Sequence, residues 1–104
     1  MARTALDRLR EICLALPEVS ERLSHGSPTF FVANRVFVMY LDDHHGDGRL
    51  AIWCAAPLGV QGMLLEAEPA RFFYLPYVGH RGWLGLRLDR RPDWRETPGI
   101  VADP

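Results

Sequence analysis

The chain has 104 residues, of which 48% are hydrophobic and 24% are charged, and its formal net charge is −1. This length and composition are typical of one globular domain, which we expect to span residues 1–104. No apolar run approaches the ~20 residues that cross a bilayer, and Arg3, Asp7 and Arg8 lie where a signal peptide needs an apolar core. We therefore expect a cytoplasmic protein that makes no membrane contact.

The two cysteines are too few for a disulfide framework. Cys13 lies on the apolar side of a predicted helix, and Cys54 ends a predicted strand. We expect both to be buried as free thiols.

A first helix is predicted over residues 4–16, where apolar residues recur at helical spacing. Thr4 is placed to cap this helix, with Asp7 three residues later, and Pro17 ends it. The following stretch, 18–22, is polar, and we place no element there.

Three runs of strand-forming residues come next, at 29–32, 36–41 and 50–54. Asn34 and its neighbours predict a turn between the first two runs, and the polar loop 42–48 joins the second to the third. The three runs therefore predict an antiparallel meander.

A short second helix is predicted from Pro57 to Pro69, with Val60, Met63, Leu64 and Ala67 at helical spacing. A short strand over 71–75 and a longer one over 83–88 complete the sheet. A last helix begins at 92–96 and is expected to break at Thr97-Pro98-Gly99. The predicted order is α-β-β-β-α-β-(β)-α, an α+β fold with a sheet of four to six strands.

The run Val36–Leu41 is apolar at every position, although a strand with helices on one side should alternate. Strict alternation would turn Phe37, Met39 and Leu41 one way and Val36, Val38 and Tyr40 the other. The set that the helices miss needs a second cover, which could be the second helix, a curled sheet, a partner subunit or a ligand.

The segment 76–83 concentrates two glycines, two aromatic residues, a histidine and an arginine before the last strand. Gly79 and Gly82 would let the backbone approach a ligand, and Arg81 could grip a carboxylate or phosphate. This predicts a ligand cleft built from Tyr77, His80, Arg81 and Trp83. The alternative is structural: the glycines serve the turn, Arg81 pairs with an acid such as Glu21, and the aromatic rings pack in the core.

This loop, the run 9–19 and Gly26-Ser27-Pro28-Thr29-Phe30 occur in an order that resembles the YjbR/MmcQ-like family of small bacterial proteins. The resemblance covers roughly residues 5 to 96. It implies a frataxin-type (CyaY-like) fold with two layers, in which the N- and C-terminal helices pack on one face of a twisted antiparallel sheet. It also implies association with DNA, by analogy with the double wing of some DNA-binding proteins.

All twelve basic residues are arginines, and five of them fall between His80 and Arg95 against two acids. The leading hypothesis is therefore a non-catalytic protein that binds DNA weakly and without sequence preference. Its phosphate contacts would be Arg81, Arg87, Arg90, Arg91 and Arg95. The alternative is a module that binds a small molecule or a protein in the predicted cleft. The two hypotheses differ in whether these arginines form one basic face or pair with acids such as Asp89 and Asp93.

The sequence predicts no catalytic residues, no metal and no cofactor. The loop with Asp42, Asp43, His44, His45 and Asp47 could suggest a metal site, but adjacent residues on a loop tip point apart, which favours a solvated turn. Iron handling by analogy with frataxin is disfavoured, because the first helix mixes acids with arginines. No nucleophile, base and orienting acid are placed together.

An early end of the last helix would leave Trp94 as its main apolar anchor and Ile100 and Val101 in an irregular tail. Part of the surface beside the first helix would then be uncovered. On that basis we expect a homodimer.

Overall fold

The computed structural model describes residues 4–43, 46, 48–56, 59–75, 78–89 and 93–101. These residues form an α+β fold, as predicted. The helices are α1 (Ala5–Leu14), α2 (Val60–Ala67) and α3 (Thr97–Val101), with a 3-10 helix at Gly79–Arg81. The strands are β1 (Val19–Ser24), β2 (Ser27–Val32), β3 (Arg35–Asp42), β4 (Leu50–Ala55), β5 (Phe72–Tyr74) and β6 (Trp83–Arg87). None of the helices in these ranges is long and apolar enough to cross a membrane.

Helix α1 begins with the predicted cap. The Thr4 hydroxyl accepts a hydrogen bond from the Asp7 amide at 3.0 Å, and the Asp7 carboxylate accepts one from the Thr4 amide at 3.1 Å. This reciprocal pair satisfies two amides that the first turn leaves without helical partners. It fixes where the helix starts. Leu9 and Cys13, four positions apart on one face of the helix, are fully buried in the core.

The six strands form one antiparallel sheet in the order β1-β2-β3-β4-β6-β5. The β2–β3 hairpin is the predicted one, and its turn places Ala33 and Asn34 at φ 49° and 68°. Two successive left-handed residues match the twist of a tight hairpin. Strand β6 inserts between β4 and β5, which brings the loop before β6 beside the end of β4.

Strand β1 corrects the sequence analysis, which placed no element at 18–22. It pairs with β2 from Val19↔Val32 to Ser24↔Ser27, and His25 and Gly26 form the turn between them. Polar residues suit this strand because it lies at the edge of the sheet and its side chains are half-buried or exposed.

The helices cover one face of the sheet, and the core lies between them. Leu9 and Cys13 of α1 and Ile100 and Val101 of α3 form a helix-side cluster with the buried residues of that face. These are Phe30, Phe37, Val38, Ile52, Cys54, Phe72, Leu84, Leu86 and Leu88. Leu64 and Leu65 of α2 pack against the same cluster, whereas Met63 is 60% exposed, contrary to its predicted place on an apolar stripe.

A bulge in the β2–β3 pair explains why β3 departs from alternation. Val38 pairs with Phe30 but Val36 pairs with Phe31, so one extra residue, Phe37, lies between the two pairs. Because Phe30 and Phe31 are adjacent in β2, Val36 and Val38 lie on opposite faces. The prediction that Val36, Val38 and Tyr40 share a face was therefore wrong for Val36. Phe37, which was predicted to face the same way as Met39 and Leu41, packs with Val38 in the helix-side cluster.

Helix α3 also departs from prediction. Thr97, Pro98 and Gly99 begin the helix instead of breaking it, and Ile100 and Val101 are buried in the core. Proline is tolerated in a first turn, where its missing amide has no helical partner to lose. Trp94 is only partly buried and precedes the helix. The surface that we expected to be uncovered is occupied by α3, so the predicted homodimer loses this support and stays a prediction.

Candidate functional site

The face of the sheet opposite the helices carries its own layer of large side chains. This open face includes Phe31, Met39, Leu41, Trp53 and Trp83, as the pairs Met39↔Trp53 and Ala55↔Trp83 show. Phe31, Leu41 and Trp83 are buried, yet they lie outside the helix-side cluster. The open face is therefore a second apolar surface.

Aromatic rings on the open face are covered in places by arginine side chains. The guanidinium of Arg22 lies 3.9 Å from the centroid of the Phe31 ring, and that of Arg49 lies 4.1 Å from the centroid of the Phe73 ring. Phe73 also fills the space where a side chain at Gly85 would stand. Such stacking shields rings from water while the cation stays hydrated.

A groove of about 700 Å3 lies on the open face, where β3 begins, β4 ends and β6 begins. Its lining is mainly apolar: Val36, Phe37, Met39, Trp53, Ala55 and Trp83. Arg35 and Arg81 also line it, together with the Ala33-Asn34 turn of the hairpin. A concave, mostly apolar site of this size with a few polar groups is typical of small-molecule binding.

The 3-10 helix Gly79–Arg81 brings Arg81 to this groove. Gln61 of α2 holds the segment in place, because its side-chain amide donates to the carbonyl of Gly79 at 2.6 Å and to the carbonyl of Trp83 at 2.8 Å. Gly82 ends the 3-10 helix at φ 88°. This left-handed conformation lets the chain turn directly into β6.

Gly79 has a different role from Gly82. A side chain at Gly79 would place its Cβ 2.5 Å from Cζ of Tyr74, so any larger residue there would have to displace the Tyr74 ring. The prediction that both glycines serve the shape of the loop is consistent with this geometry, although only Gly82 has a positive φ.

The predicted ligand cleft is divided in the structure. Arg81 and Trp83 line the groove, whereas His80 lines a neighbouring cavity of about 490 Å3, whose wall Arg81 shares. Tyr77 lies outside the described residues. Sequence reasoning missed Arg35, Met39 and Trp53, although the doubly apolar run of β3 indicated that this face needed a cover.

Two of the predicted phosphate contacts are paired with acids. Arg87 donates to Asp89 at 2.9 Å and Arg95 donates to Asp93 at 3.3 Å. Hydrogen bonds from Arg87 lower the pKa of Asp89, and hydrogen bonds from the amide and side chain of Arg95 lower the pKa of Asp93. Arg81 has no acidic partner among the described residues, and Arg90 and Arg91 lie outside them.

The alternative hypothesis, in which Arg81 pairs with an acid such as Glu21, was wrong for Glu21. Glu21 binds Arg10 of α1 through a bidentate pair, with nitrogen to oxygen distances of 2.8–3.0 Å. This pair ties α1 to the edge strand β1, on the helix side of the sheet. Hydrogen bonding to Glu21 raises the pKa of Arg10.

The cysteines are buried free thiols, as predicted. Burial raises the pKa of Cys13 and of Cys54 to about 12. Because the thiolate is the reactive form, both are protonated and unreactive at neutral pH.

Asp43 of the acidic loop has a local structural role, since its carboxylate accepts a hydrogen bond from the Gly48 amide at 2.7 Å. His44, His45 and Asp47 lie outside the described residues. Within the ranges that the structure describes, no three residues of the types His, Cys, Asp or Glu are grouped to hold a metal.

Comparison with known protein families identifies the family of this chain. The sequence model of the YjbR family matches residues 14–103. The chain belongs to the YjbR family. The fold agrees with a solved structure, that of Deinococcus radiodurans protein DR2400, which carries the family domain DUF419. The superposition has a TM-score of 0.72 at 18% sequence identity and covers 95% of this chain and 73% of that chain. A search of curated proteins found no match.

Proposed function

We propose that this YjbR-family chain is a non-catalytic binding protein whose ligand is a small molecule held in the groove on the open face. The observation that carries the proposal is the placement of Trp53, Trp83 and Met39 around one concavity. The helices cover the other face of the sheet, so a ligand here would cover apolar surface that no helix protects. The volume of about 700 Å3 lies within the range of small-molecule sites.

The chemistry of the lining supports a binding role over a catalytic one. Besides the indole N–H groups of Trp53 and Trp83, the polar side chains along the described part of the groove are one amide, Asn34, and two guanidinium groups. Amide and guanidinium groups are donors that bind and orient a ligand, and neither is a usual general base. The thiols of Cys13 and Cys54 lie in the helix-side cluster, on the opposite face of the sheet from the groove.

We also propose that the protein is located in the bacterial cytoplasm, where free thiols stay reduced.

DNA binding stays a second proposal with less support. The carboxylates beside Arg87 and Arg95 offset two of the five charges that would face phosphates. Binding to random duplex DNA in a salt series tests it, because each neutralised phosphate contributes about −0.9 to the slope of log affinity against log salt. If Arg81, Arg90 and Arg91 each neutralised one phosphate, the slope would be about −3. No binding at low salt would remove this proposal.

The groove is tested with a neutral aromatic probe, 2-naphthamide, which avoids any contribution from charge. We expect saturable quenching of tryptophan fluorescence, because Trp53 and Trp83 line the groove. In two-dimensional NMR spectra the amide signals that shift should belong to β3, the end of β4 and the start of β6.

A groove-filling variant, Ala55→Phe, gives the matched test. Ala55 lies among the lining residues, so a larger side chain should abolish probe binding. Leu23→Phe is the control, since Leu23 is 71% exposed on the edge strand β1. Far-ultraviolet circular dichroism checks that both variants fold. Unchanged binding to folded Ala55→Phe would refute the proposed site.

A further inference from the structure

Most of the arginines that the structure describes contact an acid or an aromatic ring, but two do not. The structure describes nine of the twelve, and seven of these nine contact an acid or an aromatic ring. Arg10, Arg71, Arg87 and Arg95 form ion pairs with carboxylates. Arg8, Arg22 and Arg49 lie over the rings of Trp94, Phe31 and Phe73.

The two exceptions are Arg35 and Arg81, and both line the groove. Neither has an acidic or aromatic partner among the described residues, and the described lining contains no carboxylate. In a chain whose net charge is −1, acids are as abundant as arginines. The only described arginines without a partner thus share one cavity.

The topology places these two arginines on opposite sides of the groove. Arg35 begins β3, and Arg81 ends the 3-10 helix that leads into β6. Strand β4 runs between β3 and β6, so these two strands lie two strand spacings apart, roughly 10 Å, and Arg81 lies just before the first residue of β6. Extended arginine side chains can reach a common group across that span.

Two positive charges beside an apolar surface attract an anion more strongly than they would in open water, because the effective dielectric constant falls near such a surface. A guanidinium also binds planar oxyanions through two parallel hydrogen bonds. The groove therefore offers an apolar floor for one part of a ligand and a positive rim for another.

We infer that the ligand is an amphiphilic organic anion, with an aromatic or aliphatic body against Trp53 and Trp83 and a carboxylate or phosphate between Arg35 and Arg81. This inference rests on the proposed function and adds the charge and the head group of the ligand. Arg35 and Arg81 are then ligand-binding residues, and the exposed surface of both side chains is their binding surface.

The test compares 2-naphthoate with 2-naphthamide at pH 7, two probes of the same shape that differ in charge. We expect the carboxylate to bind about tenfold more tightly than the amide, a difference of about 1.4 kcal/mol. 2-Naphthyl phosphate forms a third arm. If it binds more tightly than the carboxylate, the head group is a phosphate; if it binds less tightly, the head group is a carboxylate.

Arg35→Gln and Arg81→Gln should each reduce naphthoate affinity several-fold, toward that of the amide, and leave naphthamide affinity within about twofold. Both residues are exposed, so neither change should unfold the protein. Arg95→Gln is the matched control, since that side chain is 93% exposed and lies outside the groove lining.

The outcomes separate the inference from the function on which it rests. If naphthamide binds and naphthoate binds no more tightly, the proposed binding site is supported and the inference of an anionic ligand is refuted. If naphthoate binds more tightly but neither Arg35→Gln nor Arg81→Gln weakens it, the charge is recognised elsewhere and the inference also fails. If neither probe binds, both the proposed function and the inference that rests on it are refuted.

Discussion

Replacement of Ile100 by alanine tests the part of the fold in which sequence and structure disagree most. Ile100 was expected in an irregular tail, but the structure buries it in α3 with 5% of its surface exposed. The change removes three buried carbons, each contributing about 0.8 kcal/mol on transfer from water, and it leaves a cavity. Because α3 has only five residues and can settle into part of that cavity, we expect a loss of about 3 kcal/mol.

Urea unfolding followed by tryptophan fluorescence measures this loss. At a slope of about 1–3 kcal/mol per molar, the midpoint should fall by about 1–3 M with the slope unchanged. In thermal unfolding the midpoint should fall by roughly 12–24 °C, since 1 kcal/mol corresponds to about 4–8 °C for a domain of this size.

Two further variants make the result decisive. Met63→Ala is the exposed control and should change stability by no more than about 0.5 kcal/mol. Trp94→Ala should cost less than Ile100→Ala, because Trp94 is only partly buried. A loss below about 1 kcal/mol for Ile100→Ala, with a larger loss for Trp94→Ala, would contradict the packing of α3 and restore the original expectation.

Three other predictions follow from local geometry. Gly82→Val should lower stability by more than about 1 kcal/mol, because a β-branched residue resists the observed φ of 88°; equal thermal midpoints would disprove the strain. Cys13 and Cys54 should not react with a thiol reagent at pH 7–8 until the protein unfolds, since burial raises the pKa of both to about 12; rapid reaction of the native protein would contradict this. Asp89 has a lowered pKa in the folded state, so its contribution to stability is present above its unfolded pKa and is lost as the pH falls through the folded pKa. Asp89→Asn should therefore flatten the loss of stability in acid, and an unchanged pH profile would show that the Arg87 pair contributes nothing.

Elements whose signals are local could be predicted from the sequence alone. Thr4 and Asp7 marked the start of α1 through side-chain hydrogen bonds that form within one turn, and Asn34 marked a tight hairpin. Apolar spacing identified Cys13 as a core residue, and its place at the end of a strand-forming run identified Cys54 as one. These predictions were confirmed because each depends on neighbours only a few residues away.

Features that depend on partners distant in sequence became visible only in the folded chain. Strand β1 is polar and exists because β2 supplies its hydrogen bonds, and the bulge at Phe37 sets which residues of β3 face the helices. Arg35 was not predicted to line the same groove as Arg81, which comes 46 positions later in the sequence. They line one groove because β6 inserts next to β4, and no local pattern encodes the order of strands in a sheet.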